Sequence, residues 1–335
     1  MVVPAMGAHM QLLQNVDQRR DAALAAMGVR RGMSLTATRM SPSIAMPLHL
    51  ALDAEPCVVT SADEKEPFGF LKIYETEAAP FVDFSAVVAA SKQAAKLGLG
   101  PALLDSDEAS GALLYSWLSS DNWRMARRED LDDEANLAAI VGAKRSWNRG
   151  PKLANACSPF ETISLYLGAM RGISLPDGQM LPDLRGVREL RPWIERIDLA
   201  FAAAGTDSGP IHGENTLSNV MLDGAGHIRL VDFDRSVNAD PHYDLAGLCL
   251  EMCSFREDVD RAVEFYLGAP VAAVAARVCL YMVVDDFLWG CWAAINHFSS
   301  PRSGAVEFYK YAQNRFLRCR YWLSRWDTNA LARQM

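Results

Sequence analysis

The chain has 335 residues and a formal net charge of −8, with half its residues apolar and 22% charged. That length allows two lobes around a cleft, and the acidity argues against a nucleic-acid or anionic-membrane surface as the main partner. A nucleotide is still allowed, because it needs only a local nest and metal. Seven scattered cysteines without a C-x-x-C pair argue against a disulfide framework or a zinc site and point to a reducing, cytoplasmic home.

Residues 11–28 carry apolar positions at helical spacing and stop at Gly28, which predicts a helix in an N-terminal segment 1–28. No basic stretch followed by a long apolar core precedes it, so no signal peptide is expected. SLTATRM, MPLHLALD, EPCVVTS and FGFLKIY, between 34 and 74, are short β-branched or alternating runs separated by turn residues and read as strands. PFVDFSAVVAASKQAAKLGLGP then reads as an alanine-rich helix stopped by Gly98, Gly100 and Pro101, and ALLDSDEASGALLYSWL as two strands about a turn. A connector near 116–122 closes this strand-rich, nucleotide-binding lobe, 29–118. The lobe 119–335 is mostly helical and is interrupted by VMLDGAGHIRLVDFD, an apolar–turn–apolar hairpin. The apolar run 269–284 is broken by Arg277 and closed by Asp285 and Asp286, so it reads as a buried helix and not a membrane span.

Phosphoryl transfer from ATP is mostly positioning and charge neutralisation, so few groups are required. A carboxylate stands by the acceptor hydroxyl, an amide and further carboxylates hold magnesium, and a lysine from the strand-rich lobe steadies the phosphates. The chain offers these groups in that arrangement. Lys72 lies in FGFLKIY; His212, Glu214 and Asn219 share the loop IHGENTLSN; Asp232 and Asp234 end the hairpin in V-D-F-D.

HGENTLSNVMLD, followed by IRLVDFDRSVNADPHYDLAGLCLE, resembles the catalytic loop, metal motif and G-D-P-x-x-D-L-A segment of the aminoglycoside phosphotransferase and choline kinase superfamily. DDFLWGCWAAINHF and FYKYAQNRF resemble the F-x-W-G-x-W and Y-A-x-x-R-F segments of choline/ethanolamine kinases. The resemblance implies an α+β, bilobal protein-kinase-like fold: an antiparallel sheet plus helix, then a larger helical lobe. It implies an ATP- and Mg2+-dependent kinase for choline, ethanolamine or a related amino alcohol. Glu214 would be the base, Asn219, Asp232 and Asp234 would hold metal, and Lys72 would contact phosphates. His212 would brace the loop. The connector at Tyr115–Leu118, with Ser116 and Leu118, would face the adenine. Trp289, Trp292 and Tyr311 would form an aromatic box for a cation, with Phe255 as a further aromatic. Asp285 falls on the face of the two tryptophans, where a carboxylate would favour an acceptor with N–H donors. Neither a nucleic-acid partner nor a membrane span is implied, and a homodimer is left open.

Four features depart from the family pattern. Glu214 replaces an aspartate, one methylene shorter. The phosphate loop, TRMSPSIAMPLHL, has no glycine and offers only the hydroxyls of Ser41 and Ser43 around Pro42. The helix after Lys72 lacks the expected glutamate: Val87 falls near its place, leaving Asp83 or Glu75 as candidate partners. AAIVGAKRSWN stands where relatives have a Leu-His. The alternatives are therefore an aminoglycoside, sugar or amino-acid phosphotransferase of the same fold, or a pseudokinase serving as a binding scaffold.

Overall fold

The computed structural model describes residues 15–40, 54–61, 66–76, 78–214, 216–252, 255–300 and 307–335. The strand expected at MPLHLALD and the phosphate-loop residues Ser41 and Ser43 lie outside them.

The first part is a five-stranded antiparallel sheet with a helix on each face. Helix α1 (Val16–Arg31) precedes β1 (Leu35–Arg39), β2 (Ala54–Ser61) and β3 (Pro67–Tyr74). Helix α2 (Phe84–Lys96) follows, then the hairpin β4 (Leu103–Asp107) and β5 (Ala112–Ser116). The strand order is β1-β2-β3-β5-β4. Side chains alternate across a strand, and here the alternation sorts two cores. Leu71, Ile73, Ala112 and Leu114 pack with Ala23 and Met27 of α1. Tyr74, Leu113 and Tyr115 pack with Phe84 and Val87 of α2. Lys72, in register with Leu113, shares the α2 face with Tyr74.

Helix α1 does not stop at Gly28. It runs on to Arg31 and ends at Gly32, whose φ of 66° suits a glycine at a helix C-terminus. Gly28 is buried within the helix, and a Cβ there would lie 2.7 Å from the Met33 carbonyl oxygen. The glycine serves close packing, which apolar spacing alone does not reveal.

The remainder is mainly helical. In chain order it comprises β6 (Trp123–Met125), α3 (Glu134–Asn148), α4 (Pro159–Met170), α5 (Arg185–Ala204) and β7 (Gly209–Ile211). The hairpin β8 (Val220–Asp223) and β9 (Ile228–Leu230) leads to β10 (Val237–Ala239). Helices α6 (His242–Glu251), α7 (Arg256–Leu267), α8 (Ala272–Ser299), α9 (Phe308–Arg325) and α10 (Thr328–Ala332) complete it. The predicted hairpin pairs with β6 in a three-stranded sheet, and β7 pairs with β10.

Helix α8 is the axis of this part. Its length and composition would suffice to cross a membrane, but 94% of its most apolar window is buried inside the protein. It lies against α9, α6 and α4. Phe316 of α9 is fully buried between two glycines. A Cβ at Gly186 of α5 would lie 2.3 Å from one edge of its ring, and a Cβ at Gly290 of α8 would lie 2.5 Å from the other. The glycine of W-G-x-W and the phenylalanine of Y-A-x-x-R-F are thus two halves of one helix-packing contact.

Candidate active site

The loop after β7 is built around buried polar bonds. Asp244, on α6 and fully buried, accepts the backbone N–H groups of His212 at 2.7 Å and Gly213 at 3.0 Å. Asn148 at the end of α3 donates to the same carboxylate at 2.9 Å and to the Pro210 carbonyl at 2.8 Å. The AAIVGAKRSWN segment therefore supplies an amide to the loop. The His212 ring places Nδ1 2.5 Å from the Glu214 carbonyl and Nε2 2.9 Å from that of Val231. Burial, reinforced by the Lys144 charge, holds His212 below its ordinary pKa. A neutral ring donates to only one of these carbonyls, and the imidazole sits between the loop and the turn after β9. Gly213 has φ 81°, and a Cβ there would lie 2.5 Å from the Arg235 carbonyl oxygen. Only glycine fits that crossing.

The V-D-F-D turn aims its acids at the sheet. Phe233 is buried against Trp147 and His212, with ring centroids 5.0 and 4.8 Å away. This anchor lets Asp232 and Asp234 face the other way. Asp232 has φ 69°, the one positive value among the described non-glycine residues. Lys72 of β3 reaches both carboxylates, at 2.6 Å to Asp232 and 2.7 Å to Asp234. The Tyr74 hydroxyl donates to Asp234 at 2.5 Å. Lys72 thus pairs with these two acids. Asp83 instead caps α2, accepting from Ala86 at 3.1 Å, and receives Asn155 at 3.1 Å. Val87 is buried in the apolar core beneath the sheet.

Burial disfavours the Lys72 ammonium, but the two aspartates outweigh it and hold its pKa above the ordinary lysine value. Burial, then the neighbouring Asp232 charge, pushes Asp234 up to about 7. Burial also opposes Asp232's charge, yet Lys72 prevails and Asp232 is held below its usual value. Two carboxylates converging on one ammonium mark a place where a cation is favoured. Among the described residues no group of three or more His, Cys, Asp and Glu is arranged to hold a metal. Magnesium takes one or two protein carboxylates and completes its shell with phosphate and water oxygens, and Asp232 and Asp234 are two such carboxylates converging on one point.

Glu214 is nearby and partly buried. Its carboxylate accepts from Arg235 Nε at 3.3 Å and lies 3.4 Å from the Asn219 amide. Arg235 also donates to the Phe81 carbonyl at 2.8 Å, and its guanidinium lies 5.7 Å from the ring centres of Phe81 and Trp289. Beside it opens a cavity of about 70 Å³, lined by Phe81, Tyr166, Gly213, Arg235, Tyr243 and Trp289 among others.

The remaining predicted residues are placed as follows. Trp289 lines this cavity, and the Trp292 ring meets it at 5.4 Å and Tyr311 at 6.4 Å. Trp292 and Tyr311 are, however, only 3% and 4% exposed and do not line the cavity. Arg315 lies 5.0 Å from the Tyr311 ring centre and donates to its hydroxyl at 2.7 Å. The expectation that Asp285 faces the acceptor is corrected. Asp285 is buried, accepts from the Tyr243 hydroxyl at 2.6 Å and pairs with Arg315 at 3.3 Å, so its oxygens serve the core. Phe255 is 61% exposed just before α7 and also stays out of the cavity. Ser116 pairs with Gly69 as the last residue of β5, and its hydroxyl accepts from Ala102 at 3.0 Å; Leu118 follows in the connector. Sequence reasoning missed Arg235, Tyr74, Asn148 and the bracing role of Asp244. The signals for two of them were in view: Arg235 directly follows D-F-D, and Asp244 is the second acid of D-P-x-x-D.

Several solved structures share this architecture. A choline/ethanolamine kinase family protein from Mesorhizobium loti superposes with a TM-score of 0.74 at 20% identity, covering 96% of this chain and 99% of its own. The choline kinase LicA from Streptococcus pneumoniae gives 0.72 at 15% identity, covering 92% and 100%. A spectinomycin phosphotransferase, APH(9)-Ia, gives 0.56 at 12% identity, covering 91% and 95%. At such identities the likeness establishes the kinase-like fold. No curated protein sequence matches the chain. The model of the phosphotransferase enzyme family (APH) matches residues 62–277, a span that contains Lys72, the loop 211–219 and both acids of V-D-F-D. The chain belongs to the phosphotransferase enzyme family.

Proposed function

We propose that this protein transfers the γ-phosphoryl group of ATP to a hydroxyl of a small acceptor. The observation that carries the reading is the convergence of Lys72 with Asp232 and Asp234, from two separate parts of the chain, next to Arg235, which holds Glu214 and lines the cavity. Asp232 and Asp234, with Asn219, would hold magnesium, which when bound supplies the charge neutralisation that phosphoryl transfer requires. LicA, one of the structural neighbours, has been solved with AMP, at a TM-score of 0.71 and 16% identity over 91% of this chain, and a nucleotide in the same cleft is part of the proposal.

The chain's own residues divide the remaining work. Glu214 orients the acceptor hydroxyl and takes its proton as the oxygen bonds to the γ-phosphorus. The bond to the bridging oxygen breaks, and ADP leaves. Arg235 and Asn219 fix the longer glutamate side chain in place, a positioning role that matters because a misplacement of about 1 Å can cost ~10²-fold. Asp244 and His212 keep the loop rigid, and the aromatic walls keep water from competing.

The family resemblance makes choline, ethanolamine and longer amino alcohols the first acceptors to try, followed by sugars, amino acids and aminoglycosides. ADP release should depend on both Mg2+ and acceptor, and be lost in Glu214→Gln. Absence of ADP release across the whole panel would favour the scaffold reading.

A further inference from the structure

The cavity next to Arg235 is lined by four aromatic side chains, Phe81, Tyr166, Tyr243 and Trp289, and a cation already stands over two of them, Phe81 and Trp289. Arg235 is the one charged side chain among the described residues that line it. Its guanidinium stands equally over Phe81 and Trp289, at 5.7 Å from each, where a substrate ammonium would gain most from the rings. It is held there by the Phe81 carbonyl at 2.8 Å and by Glu214 at 3.3 Å. Asp285, the carboxylate that could have offset a second positive charge, is committed to Tyr243 and Arg315. The deeper aromatics do not offer a second box, because Arg315 lies over Tyr311.

We propose that Arg235 is the specificity-determining residue of this pocket: it rejects quaternary and primary ammonium acceptors and selects hydroxyl compounds whose other end presents oxygen acceptors. The inference rests on the phosphotransferase reading above and refines its acceptor. A planar guanidinium offers five donors in a fixed fork and suits carboxylate or paired hydroxyl oxygens, whereas an ammonium has no lone pair to accept from it. To reach the Trp289 face, choline would have to expel Arg235 and break its pairing with Glu214, the base the reaction needs. A hydroxy acid or polyol needs no such displacement. The two sources share one chemistry, oxygen acceptors aimed at the fork, and differ in charge.

The test compares glycerate, as the anionic arm, and ribose, as the neutral arm, with choline and ethanolamine. Binding is measured by calorimetry and turnover with Mg-ATP, in the wild type, Arg235→Met and Arg235→Lys. The wild type should bind glycerate or ribose at least ten-fold more tightly than either amine. Arg235→Met should weaken calorimetric binding of the oxygen-rich probe ten-fold or more and narrow or reverse the binding preference, while kcat also falls because Glu214 loses a support. Arg235→Lys should restore part of it, and melting curves show whether each variant is folded. Choline or ethanolamine binding more tightly than both oxygen-rich probes would overturn the proposal. So would an unchanged preference in a folded Arg235→Met, or no binding by either oxygen-rich probe. Absence of ADP release with a retained binding preference would overturn the phosphotransfer reading and leave the selectivity standing.

Discussion

Asp232→Asn should lower kcat by about three orders of magnitude, or ~4 kcal/mol in the barrier, while leaving the protein folded. The substitution removes one carboxylate charge and little else. Asp232 sits at φ 69°, a conformation asparagine adopts more readily than most residues, so the backbone turn is preserved. Lys72 keeps its contact with Asp234 at 2.7 Å, so the buried ammonium is not stranded. What is lost is the acid held below its ordinary pKa by Lys72, the better of the two candidates to carry a full charge toward magnesium. Steady-state ADP release, read beside a melting curve, checks both halves. A variant within ten-fold of the wild-type kcat would remove Asp232 from the proposed metal site.

The largest stability effect is expected far from the chemistry. Asp286 of α8 is fully buried and accepts from four donors on α9: Arg315 Nη1 at 3.0 Å, Arg318 Nη2 at 2.6 Å and Nε at 2.8 Å, and Trp322 Nε1 at 3.0 Å. Buried ion pairs add little net stability when complete, but breaking one leaves the remaining charge without compensation. Asp286→Ala removes the carboxylate partner of Arg318 and of the Trp322 indole N–H, and leaves Arg315 with only Asp285 and the Tyr311 hydroxyl. The expected loss is about 3–5 kcal/mol. Asp285→Ala should cost less, because Arg315 retains Asp286. Denaturant unfolding of the two variants gives the comparison, and a loss below ~1 kcal/mol for Asp286→Ala would refute this account of how α8 and α9 are joined.

Local patterns carried much of the fold. The period-two run FGFLKIY places Lys72 on the face of Tyr74, and the D-G-A-G turn gives the β8–β9 hairpin. What local patterns missed depends on contacts between distant segments. Lys72's partners lie 160 and 162 positions away, so the absence of an acid near Val87 said nothing about whether the lysine is paired. Trp289, Trp292 and Asp285 share a helix face, but whether that face meets a cavity or another helix is decided by α9. Gly290 admits Phe316, and Arg315 then takes Asp285 and the Tyr311 hydroxyl. A motif that resembles a substrate box is, for Trp292 and Tyr311, the packing seam of two helices. Arg235 was overlooked for a different reason: its place after V-D-F-D was visible, but its role depends on Phe81 and Trp289, far away in sequence.

The central claim is that Lys72, Asp232 and Asp234 form a working Mg-ATP site, and thermal melting of the purified protein tests it most directly. The account predicts that Mg-ATP raises the melting temperature well beyond ATP or Mg2+ alone, since ligand present at a hundred times its Kd stabilises by about 2.7 kcal/mol. The extra shift should disappear in Asp232→Asn. An identical melting temperature with and without Mg-ATP, at millimolar nucleotide, would contradict it.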